Sequence, residues 1–433
     1  MTELSIAVLG AGPAGAAVAL GLRRLGYQTC VVSEWRRFAA VEGVSQRVLD
    51  GLRQAGLERA LASADAPTPR KVLWNGDGQS INQECLLDRP RFDAAIREDL
   101  YAAGVAVIEA RVLRVESSAD GHLIHLDSGE PLRADFLVEA RGRQAPLAGG
   151  RLRGPETLSL LNQWQESPGR PGSAVESLAD GWSWMARLAD GRCYWQVTLD
   201  ANSGELPAKD ELSAYCARRR GDSVLVRRLF GDVALQPASL HARSSTAILF
   251  HEAGGPNWLR VGDAAMAVDP LSGNGIFQSL SSALQAPAVI NTLLQCPERA
   301  DLAQRFHQQR VEQLFLRFAR TGRDFYAMEQ RWSEQPFWRD RRQWPDAEPL
   351  HTPPDFGQVR VQRLPVIRGD LIDEAEVVVT ADQPLGIWHL QGIELAPIVR
   401  SALRGELEPV LVALPVEQRR MVQGWLLGQG YRP

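Results

Sequence analysis

Residues 10–15 read Gly-Ala-Gly-Pro-Ala-Gly, a G-x-G-x-x-G spacing. Gly10 permits a tight turn, and Gly12 lets a pyrophosphate approach the backbone across Pro13 and Ala14. Gly15 lets a helix pack close against the strands, with its N-terminus facing the phosphates. Far along the chain stands a second pattern, Gly262-Asp263 followed by Asp269-Pro270-Leu271-Ser272-Gly273-Asn274-Gly275-Ile276. A carboxylate after a strand suits a ribityl or ribose hydroxyl, and a glycine-rich turn feeding a helix suits anionic density. Together the two patterns point to a bound dinucleotide.

The other chemistry-bearing residues are less organised. The acid that grips a ribose normally ends the second strand of such a unit. Here that position is Ser33, and the acid follows at Glu34, so either the strand end is shifted by one or Ser33 bonds the ribose. No general base stands out, and Glu42, before Gly43-Val44-Ser45-Gln46-Arg47, reads as an exposed carboxylate. The histidines at 122, 125, 241, 251, 307, 351 and 389 form no triad or metal spacing, so no metal site is expected. The cysteines at 30, 85, 193, 216 and 296 include no C-x-x-C pair and read as scattered core thiols.

The elements that must hold these residues follow from patterning. The uncharged run from Leu4 to Leu22 lacks a basic flank and is rich in glycine, which argues against a membrane span or signal segment. It reads instead as a buried strand Ile6–Leu9, the glycine turn, and a helix Ala16–Leu25 ended by Gly26, with the next strand at Thr29–Val32. A short strand precedes Gly262, and a long helix starts near Ile276. Residues 301–332 carry helical periodicity through Leu302, Phe306, Val311, Leu314, Phe315 and Phe318. Residues 331–344 interleave Trp, Phe and Arg, which suits packing or a docking surface. Residues 345–368 are Pro-rich and aperiodic, as in a linker or extended wrap. Beyond them a strand at Val377–Thr380 and helices at Ile393–Leu403 and Val416–Leu427 suggest a small unit that either caps the chain or docks a partner.

Bulk properties bound the answer. A chain of 433 residues suggests two or three domains, and 45% apolar with 23% charged residues is an ordinary globular balance. The net charge of -4 argues against a nucleic-acid binder. Lys71 and Lys209 are the two lysines, the remaining basic residues being arginine, and the chain carries 12 tryptophans.

The Gly10–Gly15 turn, the Asp88-Arg89-Pro90-Arg91-Phe92-Asp93 segment, Leu137-Val138-Glu139-Ala140-Arg141-Gly142-Arg143 and the Gly262-Asp263…Gly275 segment together resemble the FAD-dependent aromatic hydroxylase and tryptophan-halogenase superfamily. That resemblance implies an α/β fold: a Rossmann-like FAD domain with glutathione-reductase-type ββα layers, a mixed β-sheet substrate domain and a mainly helical C-terminal region. The expected division is a discontinuous FAD domain (1–65, 87–150, 245–300), a substrate domain (66–86, 151–244), a helical and linker region (301–368) and a cap or docking unit (369–433). The implied FAD neighbours are Gly10, Gly12, Pro13, Ala14, Gly15, Ser33, Glu34, Arg47, Arg89, Leu113, Gly262, Asp263, Pro270, Gly273, Asn274, Gly275 and Ile276. Asp263 would serve the ribityl or phosphate region, and the 270–276 loop would lie against the isoalloxazine.

Departures from the superfamily narrow the branch. NADPH-binding hydroxylases carry Ala-Asp-Gly-x-x-Ser where this chain has Ala140-Arg141-Gly142-Arg143-Gln144-Ala145, so NADH, NADPH and a separate reductase all stay open as electron source. Gly181-Trp182-Ser183-Trp184-Met185-Ala186 is similar to the halogenase G-W-x-W-x-I-P element without its Ile-Pro. The 324–332 and 336–341 stretches resemble the flavin monooxygenases of cysteine tryptophylquinone biogenesis. This narrower resemblance implies O2-dependent hydroxylation of a tryptophan in a protein substrate, a small Trp-containing subunit of an amine dehydrogenase. It carries no nucleic-acid partner and no membrane span, and a cytoplasmic location is expected. The alternatives are a small-molecule halogenase, which needs a tunnel lysine such as Lys71, an indole hydroxylase, or a flavoenzyme similar to geranylgeranyl reductases.

Overall fold

A computed structural model describes residues 4–36, 38–146, 149–204, 206–231 and 239–432. The chain divides into a large compact unit, residues 1–287 with 311–347, and a smaller one, residues 288–310 with 348–433.

The large unit is built on two sheets. The first has six strands in the order Gly254–Gly255, Trp258–Arg260, Phe136–Glu139, Ser5–Leu9, Gln28–Ser33 and Ala106–Glu109. All neighbours run parallel except the first pair. Burial on both faces explains why Ser5–Leu9 and Phe136–Glu139 read as continuous apolar runs rather than alternating ones. The helix Pro13–Arg24 packs on this sheet with Ala14 through Leu20 buried, so its small residues set a close helix–sheet approach. A three-stranded meander, Val112–Ser118, Gly121–Leu126 and Leu132–Ala134, supplies the second β layer. These are the ββα layers that the sequence implies.

The second sheet is mixed and has eight strands in the order Ser239–Ser244, Thr157–Gln165, Arg192–Asp200, Gly181–Arg187, Gly172–Leu178, Thr68–Trp74, Asp77–Asp88 and Val41–Val44. One face buries Leu160, Trp164, Met185 and Trp195 against the helices Leu212–Asp222 and Val224–Phe230. Trp182, Val175 and, in part, Trp184 pack with Tyr326, Phe337 and Trp338. Within the 331–344 stretch Phe337, Trp338 and Arg341 are core, whereas Arg331, Arg339 and Asp340 stay exposed: Trp338 is fully buried, and its indole N–H is shared between the carbonyls of Leu178 (3.0 Å) and Ala179 (3.1 Å). Two tryptophan clusters that are far apart in sequence thus form one aromatic nucleus.

The smaller unit holds a three-stranded antiparallel sheet, Arg360–Arg368, Leu371–Thr380 and Gln383–Ile387, with the helices Leu395–Leu403, Leu407–Val412 and Val416–Gly428. Residues 360–368 are a strand and not a linker. Pro365 hides it from a sequence reading, yet proline is tolerated because this strand lies at the sheet's edge. Among the described residues, no helix is long and apolar enough to cross a membrane.

Candidate active site

Two of the three fingerprint glycines are forced by close contacts. Gly10 has φ +104, and a Cβ there would lie 2.5 Å from the Ala140 carbonyl oxygen. A Cβ on Gly15 would fall on the Gly10 carbonyl oxygen and 3.2 Å from the Ala140 Cβ. Gly12 differs: it caps the Pro13–Arg24 helix, and a Cβ there would meet nothing within 4 Å. Gly10 and Gly15 are thus demanded by the protein itself, whereas Gly12 borders open space at a helix N-terminus, a geometry suited to an anion such as a pyrophosphate.

The two nucleotide patterns converge. Gly262 has φ +59, and a Cβ there would come 2.8 Å from the Ala14 Cβ; its N–H donates to the Ser282 hydroxyl at 2.9 Å. Asp263, next in the chain, accepts from the Gln278 amide at 2.6 Å, and the Arg143 guanidinium lies 3.7 Å away. Burial pushes the Asp263 carboxyl above its ordinary value, and Arg143 opposes this. The Gln278 side-chain oxygen is buried without a hydrogen-bond partner among the described residues. Arg143 lies between Arg141 and Ala145, which stand where NADPH-binding hydroxylases keep an aspartate and a serine. It donates to the carbonyls of Thr246 (2.5 Å) and Val268 (3.2 Å), bracing the strand end that leads to the second pattern.

The loop after Asp263 is tightly specified. Asp269 accepts the Leu271 N–H at 2.9 Å, and the Ser272 hydroxyl donates back to the Asp269 carbonyl at 2.8 Å. Gly273 has φ +64, and the helix Gly275–Gln295 follows. A Cβ on Gly273 or Gly275 would meet nothing within 4 Å, so the loop borders open space at these two glycines, with a helix N-terminus behind them. The open cradles at Gly12, Gly273 and Gly275, with Asp263 held by Gln278 of the helix that follows the loop, fit FAD.

Several implied residues lie where the resemblance did not foresee. Ser33 ends the second strand, is buried, and accepts the Ala11 N–H at 3.1 Å, so it ties the strand to the glycine turn. Glu34 follows it, 4.0 Å from Arg111. Arg89 is buried, with Glu42 at 2.5 Å and Asp93 at 2.7 Å. Glu42 is therefore not the exposed carboxylate that the sequence suggests. Burial would raise its carboxyl, but Arg89, Arg36 and Arg243 outweigh that and hold it below the ordinary range. Arg47 is exposed near the start of the Gln46–Ala55 helix, and the Leu113 side chain is exposed to solvent. Both lysines are exposed: Lys71 lies mid-strand in Thr68–Trp74 and Lys209 lies in a turn.

Sequence reasoning passed over a buried chain beside the loop. The Trp182 indole N–H donates to the Tyr326 hydroxyl at 3.2 Å, and Tyr326 donates to the Asp269 carboxylate at 3.0 Å. Tyr326 lies within the 324–332 stretch that carried the narrower resemblance, and that was the one signal available. Among the described residues no cluster of His, Cys, Asp and Glu is placed to hold a metal.

This combination of parallel sheet, glycine cradle and second loop defines a flavin-binding protein. The family described as FAD binding domain matches residues 3–312, and the chain belongs to it. A solved structure described as peptidyl tryptophan dihydroxylase QhpG, essential for tryptophylquinone cofactor biogenesis, is 67% identical; the match covers 99% of this chain and 100% of that one, with a TM-score of 0.89. A tryptophan 2-halogenase of Chondromyces crocatus is 24% identical over 78% of this chain and 70% of its own length. The halogenase CmlS is 15% identical, covers 100% of this chain and 96% of its own, and shares the fold with a TM-score of 0.79. The chain is an FAD-dependent oxidoreductase of the monooxygenase type.

Proposed function

We propose that the protein hydroxylates a tryptophan side chain within a protein substrate, twice on one ring, as a step in building a tryptophylquinone cofactor. The observation that carries this reading is the 67% identity to the peptidyl tryptophan dihydroxylase, which runs through both units of the chain and not only the FAD domain. Bound FAD, once reduced, supplies the activation of O2. The protein's own part is orientation and electrostatics. N–H groups at the start of the Gly275–Gln295 helix would face the negative charge of the reduced ring, and Asp263 would take a ribityl hydroxyl. The aromatic nucleus of Trp182, Tyr326, Phe337 and Trp338 keeps water from the back of that loop.

The exposure of both lysines counts against the halogenase alternative, whose chemistry needs a lysine facing a substrate tunnel. The substrate we infer is a small Trp-containing subunit of an amine dehydrogenase, modified in the cytoplasm, with the reductant being NADH, NADPH or a reductase. Incubation of the FAD-loaded protein with such a subunit, a reductant and O2, followed by tandem mass mapping, tests this. Two oxygens on one tryptophan support it. Modification of free tryptophan with the protein untouched, or chlorine in place of oxygen, would overturn it.

A further inference from the structure

Three buried side chains from different parts of the chain meet behind the 270–276 loop. Asp269 opens the loop, Trp182 lies on the strand Gly181–Arg187, and Tyr326 lies near the end of the helix Ala300–Met328. Trp182 and Tyr326 are almost fully buried. The Tyr326 hydroxyl donates to Asp269 at 3.0 Å and accepts the Trp182 N–H at 3.2 Å. Its ring is wedged between Phe337 (5.7 Å) and Trp338 (5.8 Å), so the phenol has little freedom to turn away.

Asp269 links this chain to the cofactor side. Its carboxylate also holds the Leu271 N–H, which sets the turn Pro270–Ser272 and through it Gly273 and the helix start. The charged groups around it are Arg341 and Arg143, which favour its ionised form against burial, and Arg323, which lines the same small cleft behind the loop.

We propose that Tyr326, backed by Trp182, is a positioning residue: it clamps the Asp269 carboxylate and thereby fixes the loop whose N–H groups meet the flavin. The halogenase-like Gly-Trp-x-Trp strand thus acts here, at least through its first tryptophan, as an anchor for the flavin loop. The inference needs FAD binding alone and holds whatever the substrate is. Hydrogen-bonded chains of this kind polarise one another, so the Trp182 N–H makes the Tyr326 hydroxyl a stronger donor to Asp269.

The test is the midpoint potential of FAD bound to the full-length protein, together with the melting temperature of each apoprotein. Tyr326→Phe removes the clamp but keeps the ring. A looser loop and a less screened carboxylate both disfavour the anionic reduced ring, so the potential falls, by about 30 mV for a tenfold shift in the two-electron equilibrium. Trp182→Phe leaves Tyr326 in place and shifts the potential in the same direction by less. Melting temperatures close to wild type with lowered potentials support the clamp. A Tyr326→Phe potential equal to wild type overturns it. If that variant does not load FAD, an unchanged potential in Trp182→Phe overturns it instead.

Discussion

Gly12 and Gly15 stand three positions apart, yet the structure assigns them opposite consequences when a methyl group is added. At Gly15 the new Cβ would overlap the Gly10 carbonyl oxygen and approach the Ala140 Cβ at 3.2 Å. One obstacle is backbone of the glycine turn and the other sits at the end of the adjoining strand Phe136–Glu139, so neither has much room to shift, and Gly15→Ala should cost about 3 kcal/mol, at the upper end of overpacking penalties. At Gly12 the backbone has φ -69 and the added Cβ meets nothing within 4 Å. Gly12→Ala should therefore change apoprotein stability by no more than about 0.5 kcal/mol. The same methyl would fill the cradle and hold a pyrophosphate off the helix N-terminus. Losing one charge-assisted hydrogen bond of about 1.5–3 kcal/mol weakens FAD binding roughly 10- to 150-fold. Thermal melting of the apoproteins and a flavin-fluorescence titration read the two quantities separately. A Gly12→Ala protein that binds FAD as wild type does, or a Gly15→Ala apoprotein that melts with wild type, would refute the reasoning.

Arg89→Met strips Glu42 and Asp93 of their shared partner and should destabilise the protein by about 3–5 kcal/mol in a denaturant titration at pH 7. Because Glu42 is held below its ordinary value, its stabilising contribution is complete above about pH 4.3 and is lost as pH falls through the lowered folded-state value. Stability measured from pH 6 down to pH 3 should therefore fall less steeply in Glu42→Gln than in wild type. Trp338→Ala empties the centre of the aromatic nucleus and orphans two carbonyls, for a loss of about 3–5 kcal/mol by chemical denaturation. Lys71→Ala should leave turnover unchanged, since Lys71 is an exposed mid-strand residue; a collapse of activity would revive the halogenase reading.

The parts of the site that were legible in the sequence are those whose constraint is local. Gly10 and Gly15 are needed because of neighbours a few residues away, or on the adjoining strand, and that need is written as a spacing. The loop from Asp269 to Gly275 is legible for the same reason, its hydrogen bonds spanning two or three residues. What escaped notice depends on distant partners. Glu42 looked idle because Arg89 lies 47 positions on, and Tyr326 looked like one aromatic among many because Asp269 and Trp182 lie 57 and 144 positions away. The interleaved Trp and Arg residues of 331–344 look the same in sequence whether they dock a partner or fill a core; burial assigns Phe337, Trp338 and Arg341 to the core. The strand Arg360–Arg368 was masked by Pro365 and by polar residues on an edge that needs few apolar ones.

The central claim is that oxygen from O2 enters a tryptophan held in a protein. The most direct measurement is the intact mass of a Trp-containing subunit after reaction with the FAD-loaded protein, a reductant and isotopically labelled O2. The account predicts a gain of two labelled oxygens on the subunit and none on free tryptophan. Oxygen drawn from water, or label found on free indoles alone, would contradict it.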